Sequence, residues 1–410
     1  MRRRYLVAAL VLGVVVAAGV LLAVTLDEKP EPVADTDVAA TSTLPTVPAE
    51  LDVLGERCGP LLHADDVEPD VALVFEAPLQ AANRELMREY EALPGLVLDP
   101  RDWRAKDKSV GVFVCDGTTL PGSHFGVTPN CGTNVEGYLA EPSVVAQVQS
   151  STSGCAAVQL PLGNGELALV SSVGTYDCLT RPGEGCEEAE PEKYQPLGRR
   201  AYLRLVAPDR VQAAALAQLA AAEGLRRVYV LDDQEAYGIA VARHFADAAA
   251  AAGIQVVGEG SWDPREDDYR DLMRRIEATD PDAILLGGLI DENGSQVLSD
   301  KAVVLGPNSG PVRVLAPEGF RFAPLDEIGS AADDLLAASS GLTVSGLPGR
   351  GRDLIEALEA ETGRKLESDD ALRMVHAAAA LEVALDAIAR SDGTRAGFLD
   401  AVFATRIEDG

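Results

Sequence analysis

Residues 226–253 constrain the fold more than any other stretch. Val228–Leu231 is an apolar run of strand length, and the polar cluster Asp232–Glu235 ends it. Ile239, Val241, Ala242, Phe245, Ala248 and Ala249 then recur at helical spacing. This order predicts a strand, a turn and a helix. Gly253 suits the left-handed position that closes a helix, and Ile254–Val257 opens another strand, so the segment is a β-α-β unit. In an open parallel sheet the turn at a strand's carboxyl end faces the ligand crevice, which puts Asp232–Tyr237 at a candidate site.

The same alternation runs through the chain. Strands are predicted at Val71–Phe75, Val110–Val114, Val144–Val148, Leu167–Val170 and Ala201–Val206. Between them, Asn83–Ala92 reads as a helix with Leu86, Met87 and Tyr90 inward, and Val135–Leu139 as part of a short one. Gln149-Ser-Ser-Thr-Ser153-Gly-Cys155 reads as a small polar turn, and Ser171-Ser-Val-Gly-Thr175 follows the next strand in the same way. A helix is expected from Asp209, a candidate N-cap, to Gly224, with Val211, Ala215, Leu216 and Leu219 on one face. Tyr269–Ile276 is another helix, Ala283–Leu286 and Val312–Leu315 are strands, and Asp353–Thr362 and Asp369–Ala389 are helices. Strand and helix alternate in both halves, so the fold class is α/β, with two doubly wound, Rossmann-like lobes.

A formal charge of −30, from 35 basic and 65 acidic residues, argues against nucleic acid or an anionic lipid surface as partner of the folded part. At the start, Arg2-Arg-Arg4 precedes an uncharged apolar run, Tyr5–Leu26, long enough to cross a hydrocarbon core of about 30 Å. Residues 1–26 are therefore expected to be a membrane anchor, or a signal segment cleaved near Ala23 or Thr25, with everything after Asp27 outside the cytoplasm. Residues 27–57, rich in Pro, Thr, Ala and acids in their first part, read as a disordered tether. Six cysteines in such a compartment favour disulfides over zinc, because there is no Cys-x-x-Cys pair and the four histidines are scattered. Short separation makes Cys115–Cys131 and Cys178–Cys186 the expected local pairs, leaving Cys58 for Cys155.

No catalytic signature stands out: there is no Gly-x-Gly-x-x-Gly after a strand, no phosphate loop and no Gly-x-Ser-x-Gly elbow. No nucleophile–base pair or metal set is visible, so neither an enzyme nor a cofactor is expected. What does recur is polar residues after strands in both halves. A cleft between two lobes would bring these together.

Tyr229-Val-Leu-Asp-Asp-Gln-Glu-Ala-Tyr237-Gly, Trp262-Asp-Pro, Asp268-Tyr-Arg-Asp-Leu-Met273, Pro281-Asp-Ala-Ile-Leu-Leu-Gly-Gly288 and Ala316-Pro-Glu318-Gly carry a resemblance. From about Val71 to Gly410 the chain resembles the type I periplasmic binding proteins, and among them the leucine/isoleucine/valine-binding proteins of ABC importers. The resemblance implies two lobes joined by a hinge, with residues 58–205 and 342–410 in the N-lobe and 206–341 in the C-lobe. It implies capture of a small amino acid or related zwitterion outside the membrane and delivery to an ABC permease. A tethered sensor of the same ligands, acting on a membrane partner, is the alternative.

Carried over by motif, the family's carboxylate-binding serine falls on Ser153. Its Ser-Pro-x-Ala-Thr segment falls on Ser171-Ser-Val173-Gly-Thr175, so Thr175 and nearby backbone amides, that of Val173 included, would share the carboxylate. The ligand tyrosine falls on Tyr237 and the ammonium-binding acid on Glu318. A second tyrosine of the branched-chain binders is replaced by Leu289, and the first N-lobe loop, Glu76-Ala-Pro-Leu-Gln80, lacks the usual Ser-Gly. In the family the last helices are followed by strands that return to the C-lobe. Ending at Gly410, this sequence is expected to lack them.

Overall fold

The computed structural model describes residues 54, 57–64, 68–79, 86–118, 129–183, 186–321, 328–339, 341, 344–366 and 368–407. The anchor expected over residues 1–26 lies outside them, as does almost all of the tether. Among the described residues no helix is long and apolar enough to cross a membrane.

The first half runs β1 (Val71–Ala77), α1 (Met87–Leu98), β2 (Arg104–Ala105), β3 (Lys108–Asp116), α2 (Pro129–Ala140), β4 (Val144–Gln149), α3 (Ser153–Leu162), β5 (Ala168–Ser171) and β6 (Tyr202–Arg204). These strands form one sheet in the order β2-β3-β1-β4-β5-β6, parallel except for the β2/β3 ribbon. The second half runs α4 (Asp209–Ala222), β7 (Arg227–Asp232), α5 (Ala236–Ala251), β8 (Gln255–Ser261), α6 (Arg270–Glu277), β9 (Ala283–Gly287), α7 (Ser295–Leu305), β10 (Arg313–Ala316) and β11 (Leu336–Ala337). Its sheet is all parallel, in the order β11-β10-β9-β7-β8. Then come α8 (Gly349–Thr362), α9 (Ser368–Arg390) and α10 (Arg395–Val402). The α/β class with two doubly wound lobes is what forms.

Strands buried on both faces need continuous apolar runs, and the β1 segment, Val71–Ala77, is buried at every position. Met374, Ala377, Leu381, Leu385 and Ile388 of α9 share a core with Val71, Leu73, Phe75, Val148 and Val170, so the end of the chain packs on the first sheet. The second sheet has cores on its two faces, one around Ile284, Leu286, Val314 and Phe320, the other around Val228, Phe245 and Leu285. A further apolar seam joins the two halves: Leu169, Tyr176, Leu179, Tyr194 and Tyr202 meet Ala236 and Ala240 of α5.

Local expectations fail where the sequence has little contrast. On α4 the buried face is Gln212, Ala213, Leu216, Ala217 and Ala220, whereas Val211 and Ala215 are exposed. In a helix this rich in alanine, the apolar stripe does not mark its own phase. Asp209 is the first helical residue, after Pro208, rather than the cap. The α1 helix continues past Ala92 to Leu98 through Pro94, and Met87 is exposed. Ser153–Cys155 is the first turn of α3, not a continuing loop, because the Thr152 side chain caps it by accepting the Cys155 N–H at 3.3 Å.

The disulfide pairing is also corrected. Residues 57–62 lie antiparallel along β3, bridging Cys58 to Cys115 and Leu62 to Val112. That brings the Cα atoms of Cys58 and Cys115 within 4.0 Å, and these two cysteines are bonded. The expected Cys115–Cys131 and Cys58–Cys155 pairs are thereby overturned, since strand pairing decided proximity and loop length did not. Cys178–Cys186 forms as expected, Cys155 is disulfide-bonded as well, and the side chain of Cys131 lies outside the described residues.

Candidate functional site

The turns that follow β4 and β5 in one sheet, and β7, β9 and β10 in the other, all leave from carboxyl ends of parallel strands. Between them is a crevice. Val173 enters it from the turn after β5, and Glu318 and Arg321 enter from a 3-10 turn just after β10. Asp369, Leu372, Arg373 and His376 enter from α9, with Ser339 beside them. These four α9 residues recur at helical spacing, so one stripe of the helix forms a wall. The wall was missed in the sequence, where α9 read only as packing. The available signal was this polar stripe on an otherwise alanine- and leucine-rich helix.

Of the six residues expected at the site, Val173 and Glu318 line the crevice. Ser153, Thr175, Tyr237 and Leu289 lie off it and are tied into the surrounding framework. The Ser153 hydroxyl oxygen accepts the backbone N–H groups of Thr175 at 3.0 Å and Tyr176 at 3.2 Å. The Gly174 N–H is given to the Ser171 hydroxyl at 2.8 Å. Thr175 is buried, and its carbonyl accepts the Asp209 N–H at 3.1 Å. The Tyr237 hydroxyl accepts the Gly319 N–H at 3.3 Å and donates to Gln212 Oε1 at 3.5 Å. Gln212 Oε1 also accepts the Glu318 N–H at 3.3 Å, so Tyr237 and Gln212 fix the backbone on which Glu318 is carried. Leu289 gives its N–H to Asp233 Oδ2 at 2.9 Å.

Charge is concentrated here. Arg321 grips Asp369 with Nε at 2.8 Å and Nη2 at 2.5 Å, a fork that ties the 3-10 turn of the second lobe to α9 on the first. Arg373 donates to Asp370 at 2.7 Å. Burial holds His376 below its ordinary value, which favours the neutral ring. Behind the crevice, burial pushes Asp209 up to about 7, opposed by a hydrogen bond from Thr175. Burial does the same to Asp233, also to about 7, against hydrogen bonds from the Glu235 and Leu289 amides.

At the seam, Asp177 follows β5 in the first lobe and meets the second lobe's Arg210 and His244, the latter at 3.4 Å. Donating a hydrogen bond to the Asp177 carboxylate raises His244 against the opposing effect of its burial.

Space is limiting. The crevice encloses about 20 Å³, room for one water at most.

Comparison with known proteins agrees with this architecture. A leucine-binding protein from Thermotoga maritima superposes with a TM-score of 0.65 at 19% identity, over 82% of this chain and 88% of that one. A periplasmic binding protein type 1 from Bordetella pertussis gives 0.68 at 15% identity, over 83% and 90%. A solute-binding protein of an ABC transporter from R. palustris, in complex with benzoate, gives 0.64 at 13% identity, over 83% and 87%. No curated protein matches the sequence. The profile of the family described as periplasmic binding protein matches residues 191–410, more than half of the chain. With two doubly wound lobes facing each other across a crevice, the chain belongs to the periplasmic binding protein family and has its type I fold.

Proposed function

We propose that the protein is an extracytoplasmic solute-binding protein that captures a small amino acid or related zwitterion between its lobes and presents it to an ABC permease. The observation that carries this reading is the placement of Glu318, a buried carboxylate from the second lobe, opposite Val173 of the first in one crevice. A buried acid in such a place is a natural acceptor for a ligand ammonium group, because a charge removed from water needs a partner. The related proteins that bind leucine or benzoate are consistent with a small carboxylate ligand. Residues 58–205 with 342–410, and 206–341, are the proposed lobes.

Ligand pockets occupy roughly 300–1,000 Å³, far more than this crevice holds, so entry requires the lobes to part about the hinge and close again. A ligand that touches both lobes stabilises the closed form over the open one. The alternative of a membrane-tethered sensor rests on the apolar run Tyr5–Leu26.

The test is a thermal-shift screen of the purified chain against amino acids, aromatic acids, sugars and short peptides. A ligand at 100 times its Kd adds about 2.7 kcal/mol. Calorimetry with the best hit on Glu318→Gln then decides the role of the acid. Loss of a charge-assisted bond weakens binding roughly ten- to hundredfold. A best hit without an amino group, or unchanged affinity, refutes the amino-acid reading and leaves the fold untouched.

A further inference from the structure

If the ligand is an amino acid, something must hold its anionic end. The resemblance assigns that task to Ser153, Thr175 and the amides beside them. In the structure three successive amides of that turn are already engaged: Gly174 with Ser171, and Thr175 and Tyr176 with Ser153. The Ser153 hydroxyl oxygen, accepting two N–H groups, is itself part of the turn's internal bonding. For the Gly174, Thr175 and Tyr176 amides to bind a carboxylate, those bonds would first have to break.

The crevice contains a different donor set. Glu318 and Arg321 are three residues apart in one 3-10 turn, the spacing at which side chains eclipse on a shared face. An acid and a guanidinium side by side match the head group of an α-amino acid, whose ammonium and carboxylate share one carbon. Arg321 uses Nε and Nη2 on Asp369, so its Nη1 N–H groups, which have no partner among the described residues, remain to serve a ligand. Arg373 approaches from α9, 8% exposed, and lines the same space. Asp369, Asp370 at 2.7 Å and the field of Arg373 on half-buried Asp291 show that these cations sit among acids. The site therefore favours a net-neutral zwitterion over a simple anion.

We infer that the crevice reads an α-amino-acid head group with Glu318 on the ammonium and with Arg321 and Arg373 on the carboxylate, while the Ser153–Thr175 turn serves to shape the loop. The assignment rests on the amino-acid reading above. It replaces that reading's neutral carboxylate cradle with a cationic one.

The experiment is calorimetry on the whole chain with L-leucine, L-glutamine and L-glutamate as probes, comparing wild type with Arg321→Gln, Arg321→Lys, Arg373→Gln and Ser153→Ala. Circular dichroism confirms that each variant is folded. With the tightest of the three probes, Arg321→Gln and Arg373→Gln are each expected to weaken binding about ten- to hundredfold, and Ser153→Ala by less than about threefold. Arg321→Lys should recover part of the loss, since it keeps the charge but not the fork. Should Arg373→Gln fail to fold, the two Arg321 variants decide. A tenfold loss in Ser153→Ala with Arg321→Gln near wild type overturns the assignment alone and leaves amino-acid binding standing. Wild type that binds none of the three probes overturns the amino-acid reading and this assignment together.

Discussion

Asp209 offers a sharp test of how the lobes are joined. It is fully buried at the first turn of α4, with Oδ1 accepting Gln212 Nε2 at 3.1 Å and its N–H given to the Thr175 carbonyl of the other lobe. A helix N-terminus favours a carboxylate, but burial outweighs it here and moves the group from 3.8 to about 7. Between those two values the folded chain keeps a proton that the unfolded chain releases. Stability therefore falls as pH rises from about 4 to about 7 and stays low above it. The size follows from the interval: about three pH units at 1.36 kcal/mol each is roughly 4 kcal/mol. Asp209→Asn keeps the shape and cannot ionise. At pH 5 the folded carboxyl is still neutral but the unfolded one has ionised, so the variant should already be the more stable by about 1.6 kcal/mol. At pH 8, with the whole interval crossed, the difference should reach about 4 kcal/mol. Asp233, raised to the same region, is present in both chains and cancels from the difference. Urea unfolding at the two pH values measures this directly. A difference between variant and wild type that does not change with pH refutes the reasoning.

Three further outcomes are expected. His244, raised by Asp177 across the seam, adds stability below its ordinary value near 6.5 that is lost as pH climbs through its folded value. Asp177→Asn should therefore bring the His244 titration seen by NMR down toward that ordinary value, and no movement would show that the pair is not formed in solution. Lys301 is buried with its amine at about 8, donating to the Gly306 carbonyl, Asn308 Oδ1 and the Val312 carbonyl. Lys301→Met strands those acceptors and should cost roughly 2–4 kcal/mol by chemical denaturation, with a loss under about 0.5 kcal/mol counting against it. Gly238 lies where α5 meets the end of β9, and a Cβ there would collide with Asp233 Oδ1 and the Gly287 carbonyl oxygen. Gly238→Ala should lower Tm by several degrees, corresponding to about 1–3 kcal/mol, and an unchanged Tm would mean the two elements are not in close contact.

The sequence by itself determined the class of fold. Val71–Phe75, Val228–Leu231 and Ala283–Leu286 are apolar at successive positions, and Val144–Val148 at all but Gln147; such short runs bounded by turn signals suit buried strands, separated by helices of different period. Gly253, with φ +72°, closed its helix where the sequence placed it, because few other residues adopt that conformation without strain. The position of Glu318 in the crevice was legible for a related reason: it follows a strand end within Ala316-Pro-Glu318-Gly, a local pattern.

What the tertiary structure alone decided is long-range. Cys58 found Cys115 because residues 57–62 add to the edge of β3, a proximity that separation along the chain does not encode. The phase of α4 was set by what packs against it, since alanine on every side leaves the choice to the neighbours. The α9 wall of the crevice came from more than fifty residues beyond Glu318, and only the return of that helix to the first sheet put Arg373 in the same crevice as the acid. Local pattern reports the period and the turn. Which distant charges share a space depends on chain crossings, and these are settled by the packing of whole elements.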